Sequence, residues 1–266
     1  MATSVNSDNQ DIWIYDLARG TSSRLTFDPA SDQAPLWTPD GERVVFSSSR
    51  EGGGLFWKAA DGTGQVERLT TSASPQFPEA FSPDGMRLVF REGSPQWDLY
   101  VLSMEGEPTS KPLLQTPFNE VASAISPDGR WIAYSSNETG RDQVYVRPFP
   151  NVDDGKWQIS TNRGQEPLLW GPESRELFYG HPSGDRIMVV AIEADPAFSA
   201  ENPRVLLAVE YLDSVEQYPS FDISPDGQRF LVIKDSGPTE EVSGPTELIV
   251  VDNWFEELNR LAPPSP

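Results

Sequence analysis

Ser126-Pro127-Asp128-Gly129, followed one residue later by Trp131-Ile132-Ala133-Tyr134-Ser135, is the stretch that decides the fold. Proline presets φ at the first corner of a turn, serine and aspartate bond nearby backbone amides, and glycine accepts the positive φ that closes it. The β-rich run after the glycine makes this a hairpin turn leading into a strand. The tetrapeptide recurs as Thr38-Pro39-Asp40-Gly41, Ser82-Pro83-Asp84-Gly85 and Ser224-Pro225-Asp226-Gly227, with a degenerate copy at Gly171-Pro172-Glu173-Ser174. Each copy follows an aromatic or β-branched residue (Trp37, Phe81, Ile125, Trp170, Ile223) and precedes a β-rich run, at 43–47, 87–90, 131–135, 176–179 and 229–233. The prolines at 39, 83, 127 and 172 lie 44, 44 and 45 residues apart, and the next interval, to Pro225, is 53, the mark of an insertion in the fourth repeat.

Two further strands complete each unit. Third strands read at 55–59, 98–102, 143–147, 186–191 and 247–252, and fourth strands at 67–70, 111–114, 156–160 and 204–208. Four short strands in each unit of about 44 residues is the pattern of a propeller blade. The expected fold is therefore all-β, a six-bladed β-propeller of four-stranded antiparallel blades over residues 11–258. The units are 27–70, 71–114, 115–160, 161–208 and 209–258, preceded by a half blade at 11–26 that supplies only third and fourth strands. Residues 259–266 read as a flexible tail, and the incomplete blade implies a segment of a larger protein. Unpaired strand edges there offer a route to dimerisation.

Composition narrows the functions. Twenty-five prolines, 20 glycines, 8 tryptophans and 13 phenylalanines in 266 residues describe a turn-rich, aromatic-rich chain. The net charge of −21, without a basic cluster, argues against nucleic acid and against anionic lipid as partners. With no cysteine there is no disulfide, thiolate nucleophile or cysteine-bound metal, and with one histidine, His181, there is no multi-histidine centre within the chain. Residues 1–10 lack the regions of a secretory signal, and no apolar run reaches the length of a membrane span.

The turn tetrapeptides, with Ile132-Ala133-Tyr134-Ser135, Asp98-Leu99-Tyr100-Val101 and Arg68-Leu69-Thr70, resemble the TolB-like, WD40-like propeller family across residues 11–252. Asn253-Trp254-Phe255-Glu256-Glu257-Leu258 and Tyr145-Val146-Arg147-Pro148-Phe149-Pro150 look like a narrower group, the C-terminal propellers of bacterial membrane-anchored serine/threonine kinases. That resemblance implies an extracytoplasmic sensing or protein-interaction module. No kinase motif is present in the sequence.

Propellers bind ligands where inter-blade connections and the loops between second and third strands converge. Asp32, Gln76, Glu120 and Gln165, with Gln217 one position off, should enter the innermost strands at that face. A ring of such groups could hold a cation such as calcium, ordered water, or polar groups of a peptide or sugar; the plainer expectation is hydrated side chains at the channel mouth. No cofactor is implied. The second-to-third strand loops add Arg50, Arg91, Arg141 and His181, with Lys234 in the last unit. Arginines there could meet a partner's carboxylate. His181, Ser183 and Asp185 would have to form any Ser-His-Asp triad, yet they lie in one polar turn. Trp37, Phe81 and Trp170 read as core, leaving Phe77 and Tyr218 as the candidate exposed aromatics. The reading is a non-catalytic binding or sensory propeller engaging a protein, a peptide or a small polar ligand. The competing reading is a propeller hydrolase or lyase that uses channel carboxylates and an oxygen-ligated metal.

Overall fold

The computed structural model describes residues 2–6, 9–16, 18–161, 163–195, 197–208, 221–224, 226–233 and 248–251. These form six sheets. The first holds β1 (Ala2–Asn6), β2 (Asn9–Asp16) and β3 (Thr21–Arg24). The second holds β4 (Asp32–Trp37), β5 (Arg43–Ser48), β6 (Gly54–Ala59) and β7 (Glu67–Arg68), and the third β8 (Gln76–Phe81), β9 (Arg87–Gly93), β10 (Trp97–Ser103) and β11 (Thr109–Leu114). The fourth holds β12 (Glu120–Ile125), β13 (Trp131–Ser136), β14 (Gln143–Pro148) and β15 (Trp157–Gln158). The fifth holds β16 (Gln165–Trp170), β17 (Glu176–Gly180), β18 (Arg186–Glu193), β19 (Ser199–Ala200) and β20 (Arg204–Ala208), and the sixth β21 (Phe221–Ile223), β22 (Phe230–Ile233) and β23 (Leu248–Val251). Every pairing within the sheets is antiparallel and joins strands adjacent or nearly adjacent in sequence. The chain is an all-β propeller, and its six sheets are consistent with six blades.

The tetrapeptide builds the same lock each time. In Thr38, Ser82, Ser126 and Ser224 the hydroxyl donates to the aspartate two residues on at 2.5–2.6 Å. The same hydroxyl accepts the N–H five residues on, from Arg43, Arg87, Trp131 or Arg229, at 2.9–3.0 Å. The glycine N–H closes each turn onto the first carbonyl at 2.8–2.9 Å. In the degenerate copy Ser174 takes the glycine's place with φ 58° and keeps that backbone bond at 2.9 Å, so the turn survives without its side-chain lock. A Cβ on Gly129 would lie 3.5 Å from the ring of Pro83, and one on Gly227 3.0 Å from that of Pro172, so successive turns touch around this face.

The second strands of the second to fifth sheets, β5, β9, β13 and β17, are apolar on both faces because both are covered. Val44 joins Ile12, Leu25, Phe46 and Phe56 between the first and second sheets, while Val45 faces Leu88, Phe90 and Leu102 of the third. Val89 meets Ile132, Tyr134 and Tyr145; Ala133 meets Trp170, Leu177 and Tyr179; Phe178 meets Phe221 and Phe230. Five apolar seams thus bind six sheets face to face, each side chain removed from water contributing about 1.5–3 kcal/mol.

Three expectations change, and the insertion expected in the fourth repeat is located. The N-terminal half blade gains a strand, because β1 pairs with β2 in register from Ala2↔Trp13 to Asn6↔Asn9. Two of the fourth strands, β7 and β15, end early: Leu69 and Thr70 leave the ladder, both N–H groups turning to the Leu55 carbonyl at 2.8 and 3.3 Å. The Thr70 hydroxyl then accepts the Leu55 N–H at 2.9 Å, as Thr26 does for Ile12 at 3.0 Å and Ser160 for Val144 at 2.9 Å, so the Arg-Leu-Thr ending is a structural clasp. Trp37 is 37% exposed. Trp170, its counterpart, packs on the preceding blade and donates its indole N–H to the Ala124 carbonyl at 3.1 Å; the first sheet, among the described residues, carries no strand at that inner position. The long fourth interval is taken up by β19, which pairs with β18 beside β20, and by Phe198, whose ring lies 4.7 Å from Trp131 and 4.5 Å from Trp157 of the neighbouring blade.

Candidate functional site

One face of the propeller carries the tetrapeptide turns; the opposite, mouth face carries the starts of the first strands and the loops between second and third strands. Asp32, Gln76, Glu120 and Gln165 each open the first strand of a sheet, at β4, β8, β12 and β16. Those strands touch in succession, so the expected register holds for all four. Gln217 and Lys234 lie outside the described residues, as do Tyr218, the segment 253–258 and the tail 259–266.

The expectation of hydrated side chains does not hold for the three whose side chains are described. Asp32 is 0% exposed and its carboxylate accepts Arg50 Nη2 at 2.8 and 2.6 Å. Arg50 also donates from Nε to the Ser48 hydroxyl at 2.8 Å and lies near the rings of Phe46 and Phe56. Gln76 is buried, accepts from the Thr70 hydroxyl and donates to Glu92 at 2.5 Å. Glu120 is 2% exposed; its Oε1 accepts from the Thr116 hydroxyl at 2.6 Å and the Ser136 hydroxyl at 3.4 Å, while Oε2 has no hydrogen-bond partner among the described residues. Burial first, and then the negative charge of Asp98, pushes the Glu120 carboxyl above its ordinary value.

Of the loop cations, two are spoken for. Arg91 falls within β9 rather than in a loop, buried against Phe77 and Trp97 and ion-paired with Glu79 at 3.6 Å. Phe77 is itself buried, against the expectation of an exposed ring. Arg141 is exposed, as expected. His181 sits in a tight turn whose serine stands in the middle: Ser183 Oγ lies 2.5 Å from His181 Nδ1 and also donates to the Asp185 carboxylate. A triad needs the imidazole between serine and carboxylate, so this order does not activate Ser183. Hydrogen bonds from Arg186 and Ser183 hold the Asp185 carboxyl well below the ordinary carboxylate range. Among the described residues no three His, Asp or Glu side chains are grouped to hold a metal ion, and no helix is long and apolar enough to cross a membrane.

Two features escaped the sequence reading. The first is a bulge in β4, β8, β12 and β16 just beyond the mouth position. In β12 it places Ala122 at φ 57°, so that the N–H groups of Ala122 and Ser123 both reach the Glu79 carboxylate of the preceding blade, at 3.0 and 2.7 Å. The second is a pair of clefts. A cleft of about 630 Å³ is lined by Asp28, Arg50, Glu51, Phe56, Val66 and Arg68, among others; Arg68 there donates to the carbonyls of Glu51, Gly53 and Thr70. A cleft of about 300 Å³ lies on the mouth face between the third and fourth sheets, lined by Pro95, Gln96, Pro117, Phe118, Asn119 and Asn137. Phe118 is 40% exposed.

Comparison with known proteins places these features on a familiar frame. Residues 1–92 match a family model described as the TolB beta propeller domain. An uncharacterized protein of Agrobacterium fabrum is 36% identical over 63 residues, a match spanning 24% of this chain and 22% of that protein. Among solved structures, TolB from Acinetobacter baumannii superposes with a TM-score of 0.65 at 16% identity, over 92% of this chain and 57% of that one. A chain of a nidogen/laminin complex gives 0.66 at 13% identity, over 92% and 87%. An oligogalacturonate lyase in complex with manganese gives 0.60 at 12%, over 93% and 69%. At these identities the structural likeness is one of fold, the β-propeller.

Proposed function

We propose that this chain is a non-catalytic binding propeller whose mouth face receives a polypeptide partner. The observation that carries this reading is the contrast at equivalent positions. The turn face repeats one lock, whereas the mouth face places Asp32, Gln76, Glu120 and Gln165 at a single register position and surrounds the first three differently. Its buried arginines are already paired within the chain, and the histidine turn has the wrong order for catalysis. Between the third and fourth sheets that face presents an uncharged, partly aromatic cleft suited to a polypeptide. The resemblance to kinase-linked propellers extends this reading to a sensory module within a larger bacterial protein.

The lack of cysteine makes the test direct. Random peptides displayed on phage are selected on the purified chain. Binding is then measured after polyethylene glycol is attached to Thr139→Cys, in the loop between β13 and β14, or to Met86→Cys, directly after a tetrapeptide turn. Selected peptides should lose binding with Thr139→Cys alone. Selection of peptides blocked only from the turn face, or of none at all, would defeat the proposal.

A further inference from the structure

The 300 Å³ cleft between the third and fourth sheets has a defined donor and acceptor inventory. Asn119 Oδ1 accepts the Trp97 N–H at 3.0 Å, and Asn137 Oδ1 accepts the Asn119 N–H at 3.0 Å. A backbone N–H can only meet the carbonyl end of an amide, so both side chains are oriented, and each is left with an Nδ2 group for which no bond is made among the described residues. Gln96 is oriented the other way. Its Nε2 donates to the Thr116 carbonyl, which leaves Oε1 as the acceptor. The cleft therefore offers two amide donors and one acceptor, with no ionisable side chain in its lining.

The apolar part is formed by Pro95, Pro117 and the half-exposed ring of Phe118. The loop that carries this ring is held from beneath. The Thr116 hydroxyl accepts the Phe118 N–H at 3.1 Å and donates to Glu120 at 2.6 Å. Glu120, expected from the sequence to be a ligand-binding residue, is thus a positioning residue for the cleft.

Resting on the reading that the mouth face engages a polypeptide, we propose that this cleft binds a short, uncharged, extended segment containing proline. Proline keeps its carbonyl and has no N–H, so such a segment carries more acceptors than donors, the complement of two donors and one acceptor. Its pyrrolidine rings match a surface of phenylalanine and proline, and its polyproline II backbone is already ordered before binding. The absence of charge in the lining separates this cleft from the rest of a chain whose net charge is −21. A cleft of 300 Å³ is at the small end for a ligand site and accommodates two or three residues, which implies weak, fast-exchanging binding.

The test is calorimetric titration of the full chain with three probes: an uncharged decapeptide alternating proline and leucine, the same peptide with alanine for proline, and cellohexaose. The proline peptide should saturate, with the alanine peptide at least tenfold weaker and the sugar silent. Phe118→Ala should weaken the proline peptide at least tenfold with the thermal midpoint unchanged, and Phe118→Tyr should restore it. Asn137→Asp keeps the oxygen that Asn119 needs and removes the outward donor, so it too should weaken binding about tenfold. Failure of the proline peptide to saturate, equal binding of the alanine peptide, insensitivity to Phe118→Ala, or sugar binding that Phe118→Ala abolishes would each overturn the proposal. Mouth-face phage peptides that ignore Phe118 would sink this inference and leave the proposed function standing; no mouth-face peptide at all would sink both.

Discussion

The turn face and the mouth face are built by the same repeat and obey different rules. On the turn face a hydroxyl, an aspartate and a glycine recur at fixed spacing, and the hydrogen bonds recur with them within 0.1 Å. On the mouth face the register recurs and the chemistry does not: Asp32 is neutralised by Arg50, Gln76 bridges Thr70 and Glu92, and Glu120 holds a loop through Thr116. Repetition marks what the fold requires in every blade. Divergence at a repeated position marks where a blade is free to serve something else.

The largest expected effect tests whether a mouth residue can be as structural as a turn. Arg50→Ala leaves the Asp32 carboxylate buried without its cation, and should cost about 3 kcal/mol in urea denaturation. A loss below about 1 kcal/mol would mean that Asp32 reaches water and that the faces differ more than the geometry says.

Next in size is the turn lock. Ser126→Ala removes the acceptor of the Trp131 N–H and the donor to Asp128, for an expected loss of about 1–2 kcal/mol, and Ser82→Ala should match it closely. Unequal losses would show that the repeated bonds are not energetically equivalent.

Acidity separates Glu120 from the turn aspartates by sign. Hydroxyl hydrogen bonds hold Asp40, Asp84 and Asp226 below the ordinary 3.8; at Asp128 burial works the other way and is outweighed by Ser126 and Arg130. Their stabilisation is present above 3.8 and is lost as pH falls through the lowered folded values. Glu120 is raised above 4.5, so its contribution is full below that value and is lost as pH rises through the folded one. Glu120→Gln should therefore gain stability relative to the parent between pH 4 and pH 7, read from urea midpoints at both. An unchanged difference would place the carboxyl in contact with water. Smallest of all, Arg141→Ala should shift stability by no more than about 0.5 kcal/mol, because its side chain is exposed.

The sequence made the turns legible because their chemistry closes within six residues, from Ser126 to Trp131. It placed Asp32, Gln76 and Glu120 in the right register, since counting back from each turn fixes where a strand begins. It misjudged their surroundings. The partner of Asp32 lies 18 residues away, and no rule of spacing distinguishes a buried Arg50 from an exposed Arg141. Phe118 gave no signal of exposure, while Phe77, expected at the surface, is covered by Arg91 and Trp97.

By itself, then, the sequence determined an all-β propeller, its period, its strand register and the closure of its turns. These follow from local backbone preference and from apolar runs that must be buried on both faces. The tertiary structure decided which mouth residues are internal struts and which are presented. That depended on contacts between blades, such as Glu79 reaching the Ala122 and Ser123 amides 43 and 44 residues on, and Asn119 oriented between Trp97 and Asn137. A carboxylate or amide has the same identity in either role, and only the groups packed around it determine whether its hydrogen bonds are already made.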